Sequence, residues 1–235
     1  MKSLYESLLD DFDTLNDKID PKEEIEKFLE KNYIITGLKI STKPSNGKYI
    51  VNCKSAYVLN KQIEYLTNDL FAFGNIQYDF SCMGCASLKS LEGSPNEVQS
   101  NFFCKDCTSL KSLEGSPKYT GGFNCTGCSS LTTLKGSPEK VEEFNCTKCN
   151  ALTSLEGAPK EILSYFVCTK CENLKSLKGA PKKVGGGFDC SDCAKLTSLK
   201  GAPEYSYTFQ CSRCGRQFTE EEVRSACEVK STVTI

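Results

Sequence analysis

Fourteen cysteines stand in seven Cys-x-x-Cys pairs: Cys82 with Cys85, Cys104 with Cys107, Cys125 with Cys128, Cys146 with Cys149, Cys168 with Cys171, Cys190 with Cys193 and Cys211 with Cys214. Two such pairs supply the four thiolates of a tetrahedral zinc site or of an iron–sulfur cluster, so a structural metal protein is one reading of these fourteen residues. Oxidation is a second. Stacked strands lie ~4.8 Å apart and a disulfide accepts Cα separations of roughly 4.4–6.8 Å. The third reading is packing, because cysteine is a small side chain, commonly buried, that suits a narrow interior. Histidine is absent from the 235 residues, which removes Ser-His-Asp and Cys-His catalysis and imidazole ligands.

The elements that hold these pairs follow from a repeat. From Phe80 the chain spells Phe-x-Cys-x-x-Cys-x-x-Leu-x-x-Leu-x-Gly-(Ser/Ala)-Pro six times, and a seventh copy stops after its second cysteine. The first cysteines recur at 22, 21, 21, 22, 22 and 21 residues, and each period reads as one coil of a solenoid. Phe and the first Cys, two residues apart, face one side of a short strand, which must be the interior. The Gly-Ser-Pro or Gly-Ala-Pro block turns a corner, since glycine permits a positive φ and proline fixes φ. One coil cannot bury its own apolar face, so Phe, Cys, Cys, Leu and Leu must stack on their counterparts.

That context bears on the cysteines. Zinc-binding pairs sit on a tight knuckle, whereas these lie in a core pattern, and seven coils leave one pair over. Cys211-x-x-Cys214-Gly215-Arg216 still resembles half of a zinc ribbon. A thioredoxin-type redox motif needs a strand–helix setting that is missing here. A packing ladder is the first expectation, with paired-cysteine metal binding as the alternative and no cofactor otherwise; Cys53 and Cys227 read as core fillers. Gly185-Gly186-Gly187 precedes a Phe-x-Cys strand instead of opening a phosphate-binding helix, and reads as a permissive turn. No catalytic constellation is found, and a non-enzyme is expected.

Phe188-Asp189-Cys190-Ser191-Asp192-Cys193-Ala194-Lys195-Leu196-Thr197-Ser198-Leu199 resembles the core of a leucine-rich repeat, with the second cysteine in the asparagine-or-cysteine ladder position. Asn60, Ile63 and Leu66 match the same positions in a degenerate upstream coil. The short period is similar to the bacterial surface-antigen type of leucine-rich repeat, and to repeat proteins of gut-bacterial phages, some with a similar Met-Lys-Ser-Leu-Tyr-Glu-Ser-Leu start. The resemblance implies a mostly β, leucine-rich-repeat-like solenoid and a binding role, and no reaction.

Four segments result: an acidic helical segment (1–33), an irregular strand-containing cap with the degenerate repeat (34–79), the repeats (80–214) and a C-terminal cap (215–235). Residues 1–33 hold five Lys against ten Asp plus Glu, and Leu4, Leu8, Phe12 and Leu15 recur at helical spacing. Asp20-Pro21-Lys22-Glu23 reads as an N-cap, a first-position proline and a capping-box glutamate, with Ile25, Phe28 and Leu29 on one face. Alternating stretches at Tyr49-Ile50-Val51 and Tyr57-Val58-Leu59 predict strands, with a turn at Pro44-Ser45-Asn46-Gly47. Thr219-Glu220-Glu221-Glu222 predicts a capped helix and Val229 to Ile235 a final strand.

Only 39% of residues are apolar, so one large compact core is not expected, and the net charge of −1 disfavours nucleic acid as a partner. Met1 to Leu15 has neither the basic start nor the apolar stretch of a signal peptide, and no run approaches the ~20 apolar residues of a membrane span. A cytoplasmic chain with reduced thiols and no membrane association is expected. Residues 80–214 hold 16 Lys plus Arg against 13 Asp plus Glu, and the positions between the cysteines form two polar rows. Lys105, Thr126, Thr147, Lys148, Thr169, Lys170 and Arg213 in these rows are the candidate contacts to a partner, a protein first and a glycan second.

Overall fold

A computed structural model describes residues 20–41, 48–67 and 70–235. The helix expected over Leu4–Leu15 and the turn at Pro44–Gly47 lie outside them. The chain forms a mostly β solenoid of about eight stacked coils of about 22 residues, with one helix near each end.

Helix α1 (Pro21–Asn32) starts as the sequence dictates: the Asp20 carboxylate accepts the Lys22 N–H at 3.0 Å and proline occupies the first turn. The capping box does not form. Glu23 pairs instead with Lys27, one turn on, at 2.8 Å, which suits an exposed (i, i+4) pair. Ile25 and Leu29 are buried, and the Asn32 amide donates to the Phe28 carbonyl while accepting from Asn60 Nδ2. The helix is thereby tied to the degenerate coil.

After α1, strand β1 (Tyr33–Thr36) runs antiparallel to β4 (Ser55–Val58), and β2 (Lys39–Ile40) antiparallel to β3 (Tyr49–Cys53). From there the stack is parallel: β5 (Phe71–Ile76), β6 (Phe80–Ser81), β7 (Glu97–Phe103), β8 (Tyr119–Asn124), β9 (Lys140–Asn145), β10 (Glu161–Ile162), β11 (Phe166–Val167), β12 (Lys183–Asp189) and β13 (Tyr205–Gln210). Asn60 holds the ladder position of the degenerate coil: the Ile63 N–H bonds to its carbonyl as the Leu88 N–H bonds to that of Cys85.

Each long strand has two arms joined by a bend. The first carries one inward residue, in register from coil to coil (Val98 with Thr120, Thr120 with Val141, Val184 with Ser206), and the second carries the inward Phe. Three residues separate the two in the coils of Phe102, Phe166 and Phe188, and two in those of Phe123, Phe144 and Phe209. The alternation of 22- and 21-residue periods lies entirely in this bend, where the register shifts. Buried hydroxyls at the first-arm position are satisfied locally: Thr120 donates toward Ser100 and Gly122 carbonyls, Ser206 toward Gly186 and Thr208. Gly185–Gly187 is part of β12 at this bend, not a turn between elements. Close approach explains the glycines, since a Cβ at Gly185 would lie 2.2 Å from the Leu163 carbonyl oxygen.

The inward residues stack in columns. Phe80, Phe102, Phe123, Phe144, Phe166 and Phe188 lie 5.2–5.4 Å apart with ring planes within 11° of parallel. Edge-on rings end the column, with Phe73 at 5.3 Å and 76° to Phe80 and Tyr33 at 5.4 Å and 65° to Phe73, a geometry that matches the ring quadrupoles. At the other end Phe218 is buried under the Arg216 guanidinium, 4.0 Å from its ring centroid. The capping box expected at Thr219 is present in α2 (Glu220–Ala226), and β14 (Glu228–Val229) and β15 (Val233–Thr234) pair with β13. The C-terminal edge is thus covered by two short strands.

Corner glycines are required twice over. Gly157 has φ +90°, and a Cβ there would meet the Lys135 backbone nitrogen of the preceding coil at 2.3 Å. Gly157→Ala is expected to cost more than ~2 kcal/mol in denaturant unfolding; a neutral substitution would contradict the coil spacing. Leu155 is fully buried, and Leu155→Ala should cost about 2–5 kcal/mol in the same assay.

Candidate functional site

The cysteine pairs sit where each strand leaves the sheet. They are on tight turns after all: the Cys85 N–H bonds to the Cys82 carbonyl, and Cys128 to Cys125 likewise, at 3.3 and 3.2 Å. The turn resembles that of a zinc-binding pair, contrary to the expectation from the core pattern. What the thiols face is different.

The second cysteine of each coil donates its S–H to the carbonyl of the first cysteine one coil earlier. Cys107 bonds to Cys82 and Cys128 to Cys104 at 3.1 Å, and Cys149 bonds to Cys125, Cys171 to Cys146 and Cys193 to Cys168 at 3.2 Å. Cys214 bonds to Cys190 at 3.4 Å. Cys85 has no cysteine before it, and there the Val58 carbonyl takes the Lys61 ammonium at 2.7 Å. Among the first cysteines, Cys82, Cys125 and Cys190 point their thiols at carbonyls of the following coil, at 3.4–3.5 Å.

A thiol aimed at a carbonyl oxygen needs its proton, since a thiolate there would face a partial negative charge without solvent. Burial pushes Cys104, Cys125, Cys168 and Cys190 well above the usual thiol range, Cys53 and Cys211 up to about 12, and Cys85 and Cys227 up to about 11, whereas hydrogen bonds from the Cys82 and Cys190 thiols hold Cys107 and Cys214 below it. All sixteen cysteines are free, and all but the half-buried Cys214 are buried. Among the described residues no group of three or more Cys, Asp or Glu side chains is placed to hold a metal ion. The fourteen paired cysteines form two columns along the stack instead of clusters of four.

The turn between the cysteines places the candidate contact residues. Its second position is left-handed in all seven copies: Gly84 and Gly127, but also Asp106, Lys148, Lys170, Asp192 and Arg213, with φ between 53° and 61°. The side chains of Lys148, Lys170 and Arg213 are exposed there. The first position is half-buried at Lys105, Thr126, Thr147 and Thr169. Its hydroxyls are engaged within the solenoid, Thr126 with Asn145 Oδ1 at 3.1 Å and Thr147 with Thr169 at 3.0 Å. Arg213 grips Asp192 with two bonds of 2.5 and 2.9 Å. Lys148 and Lys170 form no ion pair among the described residues. The expected contact face is therefore one continuous edge of the stack, with its threonines turned to structure and Lys148 and Lys170 exposed and outside any ion pair among the described residues.

A depression of about 160 Å³ on the outer side of the second strand arm was not anticipated; Asn101, Gly122, Asn124, Glu143, Asn145 and Tyr165 contribute to its lining. Its one sequence signal is the residue before each repeat Phe, which is glycine at Gly122 and Gly187 and a larger side chain in the other copies.

No protein-family model matches this chain, and neither does any curated protein or solved structure. No helix among the described residues is long and apolar enough to cross a membrane.

The raised thiols give a sign to the pH dependence. Unfolded thiols ionise near 8.5, while Cys53, Cys85, Cys211 and Cys227 keep their protons to about 11–12. Above that unfolded value the unfolded chain binds fewer protons, so stability falls as pH rises, by about 1.4 kcal/mol per unit for each such thiol until it ionises in the folded state. Denaturation under reducing conditions should show a flat midpoint from about pH 6 to 8 and a steep fall between about 9 and 11. A midpoint unchanged to about pH 11 would contradict neutral buried thiols.

Proposed function

We propose that this chain is a non-catalytic repeat protein that acts as a protein-interaction module. The observation that carries the reading is the left-handed column at Asp106, Lys148, Lys170, Asp192 and Arg213. A non-glycine residue there costs ~1–2 kcal/mol of backbone strain, and strain repeated in register is characteristic of positions where the side chain is needed. The solenoid holds these charges at fixed spacing on a rigid edge, which lowers the entropy lost on docking. The cysteines, the groups best suited to chemistry, support the same reading because their thiols are engaged with backbone carbonyls.

Kinship with leucine-rich repeats of the bacterial surface-antigen type belongs to this proposal, supported by the Cys-x-x-Leu-x-x-Leu register and the asparagine at position 60. So do encoding by a phage of gut bacteria and residence in the host cytoplasm, where sixteen thiols stay reduced.

The test is Lys148→Glu combined with Lys170→Glu in the full chain, read by pull-down of proteins from a host lysate. Both positions are exposed, so stability should change by no more than ~0.5 kcal/mol, while capture of the partner falls at least about tenfold. Undiminished capture by the double variant would remove this edge as the contact face.

A further inference from the structure

Two outward positions flank each stacked phenylalanine, one before it and one after. In four successive coils they are Asn101 and Phe103, Gly122 and Asn124, Glu143 and Asn145, and Tyr165 and Val167, and together they enclose the 160 Å³ depression. A cavity of about 150 Å³ holds one six-membered ring. Gly122, whose φ is not in the left-handed region, lies beneath the Asn101 amide: a Cβ there would meet Asn101 Oδ1 at 2.4 Å, so the missing side chain lets that amide lie over the strand at the edge of the depression. A second hollow of about 330 Å³ continues from it along the bend, past Gln99, Gly121 and Glu142.

The hydrogen-bonding groups around the depression are fixed in sense. Asn145 Oδ1 accepts the Thr147 N–H at 2.9 Å and the Thr126 hydroxyl at 3.1 Å, and Asn124 Oδ1 accepts the Thr126 N–H at 3.1 Å. A backbone N–H can only donate, so these oxygens are assigned and both amino groups lie on the opposite edge, unbonded to any described residue. Asn101 is reversed: its amino group donates to Asp79 and to Ser100 Oγ, which leaves Oδ1 as an acceptor above Gly122. Glu143 adds a carboxylate with no ion pair among the described residues, and the Tyr165 ring is 54% exposed beside it.

Each ligand class meets this set differently. An anion would face Glu143 with no lysine or arginine in the lining, a cation would face two amide NH2 groups, and an apolar ring would leave all of them unpaired. A neutral ring bearing hydroxyls, each able to donate and accept, satisfies every group and can lay its C–H face on tyrosine. We infer that this depression is a saccharide-binding site: one pyranose ring against the amides of Asn101, Asn124 and Asn145, with Tyr165 and Glu143 at its side and the next ring in the adjoining hollow. The site is separate from the Lys148–Lys170 edge and does not depend on the protein-partner reading.

The full chain is titrated with glucose, galactose, mannose, N-acetylglucosamine and N-acetylgalactosamine, and with the gluco-, manno- and chito-trisaccharides, by saturation-transfer NMR and calorimetry. At least one monosaccharide should bind at millimolar concentration and its trisaccharide about tenfold or more tightly. Tyr165→Ala, at an exposed position, and Gly122→Val, which pushes the Asn101 amide out of its place, should each weaken binding at least about tenfold with an unchanged circular dichroism spectrum. Lys148→Glu with Lys170→Glu should leave sugar binding intact, which separates the two sites. If Gly122→Val alters the fold, Tyr165→Ala decides. Failure of every sugar to bind at up to ~50 mM, or wild-type affinity in Tyr165→Ala, overturns the inference.

Discussion

An inward side chain in one coil stacks on its counterpart in the next, about 5 Å away. That constraint sets the rest of the structure. Phenylalanine rings cannot tilt edge-on to their copies above and below at once, so they run parallel at 5.2–5.4 Å until a non-repeating ring, Phe73, can meet the column by its edge. Corners must nest as closely as strands, which excludes a Cβ at Gly157 and its counterparts. Both ends need residues outside the repeat, and α1, α2 and the two final strands supply them.

The cysteines answer the same constraint. Where a strand leaves the sheet its carbonyls lose their ladder partners; the Cys82 carbonyl takes the Cys85 N–H of its own turn and has a second lone pair left for a buried donor. The second cysteine provides a donor on a side chain small enough to stack at this spacing, and asparagine takes the position in the degenerate coil, where its amide reaches back to Asn32. From Cys107 to Cys214 the thiols of the second-cysteine column each have a carbonyl acceptor, which leaves that column chemically quiet. The motif most suggestive of metal or redox chemistry is, in this fold, part of the hydrogen-bonded core.

Much of this was legible in the residues. Phe, Cys and Leu at fixed offsets announce their inward positions, Gly-Ser-Pro announces the corner, Thr219 with Glu222 announces the last helix, and Asn60 the degenerate coil. Features that depend on inter-coil distance were not. Lys148 and Lys170 carry no sign of a positive φ; only Gly84 and Gly127, at the same position in other copies, hint at it. Glu23 stood in capping-box position and chose Lys27. Gly185–Gly187 looked like a turn, and only the proximity of the Leu163 and Ser164 carbonyls and of the Thr208 hydroxyl explains them. The threonines between the cysteines looked free, and their partners, Asn145 and one another, come from neighbouring coils.

The central claim is that the paired cysteines are protonated donors to carbonyls, with no bonds to metal or to one another. Elemental analysis of protein purified under reducing conditions, combined with a thiol titration in denaturant, tests it directly. The account predicts sixteen titratable thiols per chain and no stoichiometric zinc or iron. Metal at one or more atoms per chain, with thiols that become titratable only after chelation, would contradict it and make the cysteine columns a ligand set.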